Sequence, residues 1–308
     1  MRSLVTGAAG FIGSHLTERL RSQGDDVVAV DSFTDYYDPD RKRQNARDLD
    51  VLDLDLQTGD VDRLIGSVER VFHLAGQPGV RASFGAGFEL YVQRNVLATA
   101  RVFEVAAHHG VRVVYASSSS VYGDAEAYPT PEEAQPRPIS PYGITKLSCE
   151  HLAYAHARAA RLDAVGLRYF TVYGPRQRPD MAFTRMLETL AEGSAFHLYG
   201  DGSASRSFTY VDDAVSGTIA AMERGESGSI YNIGGGEEAS MTDVFALVQE
   251  ISGRTLRIER DEAAVGDVRR TSADCTRASE HLGWAASTPL ADGLAQHWRW
   301  VVDRVGVQ

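Results

Sequence analysis

Tyr142 and Lys146 stand four residues apart, downstream of a hydroxyl run, Ser117-Ser118-Ser119-Ser120. The pattern predicts a helix over Pro141–Ala160, so the two side chains share one face. Ser140 suits the cap of that helix and Pro141 its first position. A phenol titrates near 10 and is a poor base at neutral pH. An ammonium one turn away favours the phenolate. Such a tyrosine removes a hydroxyl proton as a hydride leaves the same carbon. The serine run falls at the end of a predicted strand, where a hydroxyl can hydrogen-bond the reacting oxygen. This chemistry requires a hydride acceptor.

A place for one opens the chain. Gly7, Gly10 and Gly13 punctuate Leu4-Val5-Thr6-Gly7-Ala8-Ala9-Gly10-Phe11-Ile12-Gly13, between a predicted strand and a predicted helix. In that context the glycines allow a tight turn, close backbone approach to a pyrophosphate and helix–strand packing. The helix N-terminus, opening at Phe11 and Ile12, adds N–H donors and a positive dipole. Asp31 ends the second predicted strand, where a carboxylate binds the ribose 2′-hydroxyl and repels a 2′-phosphate. This favours NAD over NADP. The run Arg41-Lys42-Arg43 points the other way, because cations tolerate that phosphate.

These residues need elements to position them. Strands are predicted at Ser3–Thr6, Asp26–Val30, Val51–Asp55, Val71–Ala75, Val111–Ser117 and Ala164–Arg168. Helices are predicted at Phe11–Arg21, Tyr91–His109 and Pro141–Ala160. Continuous apolar strands alternating with helices indicate an α/β fold with a doubly wound parallel sheet of Rossmann type. After Arg168 the rhythm changes. Tyr169–Met181 reads as a loop, followed by helices near Ala182–Glu192, Asp212–Glu223 and Met241–Ser252. The expected organisation is a Rossmann domain over 1–170, revisited near 209–229, and a smaller α/β substrate domain over 171–308. Tyr128–Pro141 reads as a surface excursion.

The 308 residues suffice for a large core. With 31 Lys plus Arg against 42 Asp plus Glu, the formal charge is -11. That balance argues against nucleic acid or an anionic membrane as partner. Cys149 and Cys275 lack metal-ligand spacing and are read as reduced and structural. No apolar run suits a signal peptide or a membrane span, so the expected location is cytoplasmic.

His73-Leu74-Ala75-Gly76, Asn95-Val96, the serine run before Val121-Tyr122-Gly123, Tyr142/Lys146, Tyr173-Gly174-Pro175 and Phe208-Thr209-Tyr210-Val211-Asp212-Asp213 follow the glycine motif in order. Together they resemble the extended short-chain dehydrogenase/reductases that act on nucleotide sugars, over nearly the whole chain. The resemblance implies that Tyr142 is the base, that Lys146 binds the nicotinamide ribose, and that Ser118 is the principal catalytic hydroxyl with Ser120 a second candidate. It implies further cofactor contacts at Asp55, Leu56, Leu74, Ala75, Gly76, Asn95, Tyr169 and Pro175. A homodimer through the helices near 91–109 and 141–160 is also implied.

Related dehydratases and decarboxylases place acids after the first hydroxyl of this strand end. This chain has Ser119 and Ser120, with Ser118 and Ser119 facing the sugar. The expected reaction is therefore 4-epimerisation, in which C4 is oxidised, the keto sugar turns over and the hydride returns. A tightly held NAD is regenerated each turn. Gln77-Pro78-Gly79-Val80-Arg81 and Arg168–Ala182 are similar to UDP-glucuronic acid 4-epimerases. A uronic acid needs a partner for its carboxylate. Arg185 is the first choice, helped by Thr171, with Arg81 in reserve. A bidentate arginine there would hold the carboxylate out of alignment for loss of carbon dioxide. The resemblance puts Arg206 on the diphosphate and Asp267 near the uridine, with Arg269 as a further phosphate contact. The alternatives are a 4-epimerase of UDP-glucose or its N-acetyl form, a UDP-glucuronate decarboxylase or other dehydratase, and a non-catalytic NAD-binding protein.

Overall fold

Leu4 and Val5, Val71 and Phe72, and Val113 and Val114 are adjacent pairs of fully buried residues. Successive strand residues face opposite sides of a sheet, so these pairs require burial on both faces. The structure, a computed structural model, describes residues 1–261 and 270–306. Six strands come first: β1 (Arg2–Thr6), β2 (Asp26–Asp31), β3 (Val51–Asp53), β4 (Arg70–His73), β5 (Arg112–Ser118) and β6 (Ala164–Tyr169). Then come β7 (Thr171–Tyr173), β8 (Ala195–Tyr199), β9 (Ser205–Tyr210), β10 (Ile230–Ile233), β11 (Glu238–Ser240), β12 (Arg257–Asp261) and β13 (Arg270–Thr271). The main sheet runs β3-β2-β1-β4-β5-β6-β10, and every pairing in it is parallel. Strand order reverses between β1 and β4, where open α/β sheets bind ligands at the strands' carboxyl ends.

The helices are α1 (Phe11–Ser22), α2 (Pro39–Asn45), α3 (Val61–Ile65), α4 (Phe88–Tyr91), α5 (Ala98–His109), α6 (Pro141–Ala160), α7 (Ala182–Glu192), α8 (Val211–Arg224), α9 (Met241–Ser252), α10 (Thr276–Leu282) and α11 (Leu290–Val305). One apolar core joins Val5, Phe72 and Val114 to Leu16 of α1 and Val215 of α8. A second joins Leu4, Val71 and Val113 to Ile65 of α3, Phe103 of α5 and Cys149 of α6. The first core continues into Phe183, Phe208 and Phe245 of the C-terminal part, so the two parts share apolar packing. The chain's return to the main sheet runs through α8 and extends to β10, beyond the expected 229.

Three local readings change. Tyr169–Met181 holds a strand, β7, whose register Thr171↔Phe208 joins it to β9. The helix expected from Tyr91 begins at Phe88 and passes through a π-helical turn, Val92–Leu97. Tyr128–Pro141 dips inward at buried Thr130, whose backbone N–H donates to the Ser272 carbonyl at 2.8 Å and whose carbonyl accepts from Asp274 N–H at 3.0 Å. Both cysteines are free thiols, and burial pushes each upward, Cys275 to about 12. Among the described residues, no helix is long and apolar enough to cross a membrane.

Candidate active site

A cleft opens along the carboxyl ends of β1, β2, β4, β5 and β6. Its floor is the glycine turn. Gly7 has φ +73, and a Cβ there would approach Ala75 N to 2.8 Å. A Cβ on Gly13 would collide with the Gly7 carbonyl, so α1 starts this close to β1 only with glycine present. Phe11 and Ile12 line the cleft at the α1 N-terminus. Asp31 is buried at the end of β2, accepting N–H bonds from Ala9 at 3.2 Å and Phe33 at 2.8 Å. Lys42 is also buried, with Nζ 4.0 Å from the Asp31 carboxylate and 2.8 Å from Thr34 Oγ1. Burial pushes the Asp31 carboxyl up and the Lys42 ammonium down, and each charge counters the shift of the other. Asp55, Leu56, Leu74, Ala75, Gly76 and Tyr169 complete the expected wall.

The catalytic end is built where α6 meets β5. Ser140 caps α6 by accepting from Gly143 N–H at 3.1 Å, and Pro141 follows as the sequence predicts. A Cβ on Gly143 would lie 2.5 Å from the Ser120 carbonyl, so the glycine lets α6 press onto the Ser119–Val121 turn. Tyr142, Lys146 and Ser118 consequently share one cleft wall. Lys146 Nζ donates to the Ala116 carbonyl at 2.9 Å, which holds the ammonium at the end of β5. The Ser118 Oγ accepts from Ser120 N–H at 3.1 Å, leaving its own proton for a ligand. Ser117 points the other way, donating to Glu150 at 2.5 Å within a buried Glu150–Arg168 pair.

Several expected contacts lie elsewhere. Neither Ser119 nor Ser120 lines the cleft, and Ser120 acts on Ser118 through its backbone. Asn95 sits in the π-helical turn behind the wall. Its Oδ1 accepts from Gln77 N–H at 2.6 Å and its Nδ2 donates to Thr145 Oγ1 at 3.0 Å, tying the loop after β4 to α6. The Pro175 carbonyl accepts from His15 Nε2–H at 2.9 Å, fastening its loop to α1. Arg81 stacks over Tyr199 at 4.3 Å, while Arg185 faces the same ring at 5.5 Å and Phe196 at 5.6 Å. Thr171 pairs with Phe208 in the second sheet, and Arg206 donates to the Ser205 carbonyl at 2.8 Å. None of Arg81, Thr171, Arg185 and Arg206 lines the cleft with Tyr142. Asp267 and Arg269 lie outside the described residues.

Two arginines line the cleft: Arg94, whose guanidinium donates to Gln77 Oε1 at 2.7 Å, and Arg178. The Arg178 Nε–H and Nη2–H donate to the two Asp180 carboxylate oxygens at 3.0 and 3.1 Å. Asp180 and the nearby phenols, Tyr36 and Tyr142, favour its charged form against the cost of burial. Arg178 lies inside the Arg168–Ala182 segment already marked, and the signal for it is local. It alone has an acid two residues on, beside Pro179.

The model of the NAD dependent epimerase/dehydratase family matches residues 3–234. This chain belongs to that family. A UDP-glucose epimerase of Bacillus subtilis (strain 168), YtcB, named as uncharacterized, is 39% identical over 96% of both chains. The solved UDP-glucuronic acid 4-epimerase of Bacillus cereus, in complex with UDP-glucuronic acid and NAD, superposes with TM-score 0.95 at 38% identity over 99% of this chain and 100% of that one. MoeE5, solved with UDP-glucose and NAD, gives TM-score 0.90 at 41% identity over 99% and 100%. The epimerase/dehydratase described here is NAD-dependent. The glycine turn that no Cβ would fit and the Asp31 carboxylate suit NAD, which supplies a reversible hydride acceptor when bound.

Proposed function

We propose that this epimerase/dehydratase is a UDP-glucuronic acid 4-epimerase that interconverts UDP-glucuronic and UDP-galacturonic acid. The observation that carries the reading is the shared wall of Ser118, Tyr142 and Arg178. Tyr142 takes the C4 hydroxyl proton, with the Lys146 ammonium on the same wall. The Ser118 proton bonds the reacting oxygen. After the 4-keto sugar turns over, Tyr142 returns the proton and C4 is reduced on its other face. Ser119 and Ser120 supply no carboxylic acid, which leaves elimination without its acid–base pair. Arg178 takes the carboxylate role expected of Arg185, since its guanidinium faces the same space as Tyr142. Each turnover would return the cofactor to its oxidised form, so it need not leave the site.

A second reading, a 4-epimerase of UDP-glucose, is favoured by one feature: the Arg178 charge already has Asp180 as partner. The name of the B. subtilis relative agrees with it. Product analysis after incubation with UDP-glucuronic acid, UDP-glucose and UDP-N-acetylglucosamine separates the readings. Epimerisation of the uronic acid at higher kcat/KM is the expected result. Preference for a neutral sugar overturns the first reading in favour of the second.

We propose also that the enzyme is a homodimer. Leu97, Ile144 and Tyr154 are 57%, 48% and 67% exposed on the helices that the family resemblance assigns to the contact. The proposed division is cofactor binding by 1–170 with the 211–233 return, and substrate binding mainly by 171–308.

A further inference from the structure

Arg178 does not stand alone on the cleft wall. One edge of its guanidinium is spent on Asp180, through Nε and Nη2. The Asp180 oxygen that accepts from Nη2 also accepts the Tyr36 hydroxyl proton at 3.2 Å. Tyr36 belongs to the loop after β2, on the cofactor side of the cleft. Its phenol lies against Gly79, in the loop after β4, where a Cβ would collide with the hydroxyl. One phenol therefore fastens the loops after β2, β4 and β7. A bidentate carboxylate fixes the plane of a guanidinium, and the outer bond to Tyr36 fixes the carboxylate.

We propose that Tyr36 and Asp180 are positioning residues that aim the free edge of Arg178 at the sugar carboxylate, and thereby set the balance between epimerisation and loss of carbon dioxide. The inference rests on the uronic-acid reading above. The competing step is defined chemically. In the 4-keto intermediate the C5–C6 bond breaks, C6 leaves as carbon dioxide, and its electron pair moves through C5 into the C4 carbonyl as an enolate. C5 then takes up one proton, giving a UDP-4-keto-pentose. The step is fast only when the C5–C6 bond stands parallel to the carbonyl π system. A carboxylate gripped in a fixed plane is held away from that geometry. A guanidinium that swings on a loosened Asp180 does not hold it.

Tyr36→Phe removes only the outer hydrogen bond, and Asp180→Asn weakens the bidentate grip. Each variant is incubated with UDP-glucuronic acid, and the ratio of pentose products to UDP-galacturonic acid is measured with the NAD content of the protein. The expected result is a ratio raised about tenfold in Tyr36→Phe, the weight of one hydrogen bond to a charged group, and more in Asp180→Asn. NAD content should match wild type. A merely structural role would lower turnover and leave the ratio unchanged. An unchanged ratio in both variants overturns the proposal while the uronic-acid reading stands. A wild-type enzyme inactive on UDP-glucuronic acid overturns both.

Discussion

The Lys42 ammonium lies 4.0 Å from the Asp31 carboxylate, both of them buried at the adenosine end of the cleft. The expected preference for NAD therefore rests on one carboxylate with a cation at its side. Asp31→Ser should remove the repulsion of a 2′-phosphate and leave Lys42 to bind it. Relative affinity for NADP over NAD, measured by calorimetry on stripped protein, should rise about a hundredfold, or some 2.7 kcal/mol. Adding Lys42→Met should abolish the gain. If Asp31→Ser still rejects NADP, or the double variant keeps it, Lys42 has no such role.

Tyr142 and Lys146 share the wall but hold different things. Tyr142→Phe should lower kcat about a thousandfold, within the range of general acid–base catalysis, with the NAD content of the purified protein unchanged. Lys146→Met should lower both, because its ammonium, fixed by the Ala116 carbonyl, is proposed to hold the nicotinamide ribose. Initial rates and chromatography of the released cofactor decide. Substantial activity in Tyr142→Phe would contradict the assignment.

His73 and His297 are fully buried, and burial holds each near 3 against an ordinary value of 6.5. The unfolded chain binds protons as pH falls through 6.5, whereas the folded form does not until about 3. Stability is therefore flat above 7 and declines below 6.5. Between pH 7 and 5 the loss should be about 2 kcal/mol per histidine. His15, lowered mainly by burial, adds in the same direction. Urea unfolding at the two pH values tests this, and His297→Gln should reduce the difference. Equal stability at both would refute it.

Tyr154 is two-thirds exposed on the outer face of α6. If α5 and α6 form the dimer contact, Tyr154→Glu should weaken dimerisation about tenfold or more by placing a charge in an apolar interface. Sedimentation of both proteins measures this. A monomeric wild type would remove the dimer from the account.

The legible parts of the chain were those whose signals are local. The start of α6 followed from Ser140 and Pro141, which carry cap chemistry in their own side chains. The glycine turn followed from spacing, because its geometry needs only one strand and one helix. By contrast, β7 has three residues and exists through its pairing with β9, which sequence periodicity does not register. Arg185 stands one turn into a helix, yet its guanidinium is drawn over the aromatic rings of Phe196 and Tyr199, which belong to β8. Arg178 reaches the cleft through a turn closed by its own carbonyl, which accepts from Met181 N–H at 3.1 Å. Asn95 is polar in an otherwise helical pattern, and only the π-helical turn shows that it joins the loop after β4 to α6 rather than lining the site.

The central claim is that the cofactor borrows the hydride of C4 and gives it back to the same carbon. Incubation with UDP-glucuronic acid deuterated at C4, without added NAD, tests it most directly. The account predicts UDP-galacturonic acid with the deuterium retained at C4. Product in which C4 carries solvent hydrogen, or no product until NAD is supplied continuously, would contradict it.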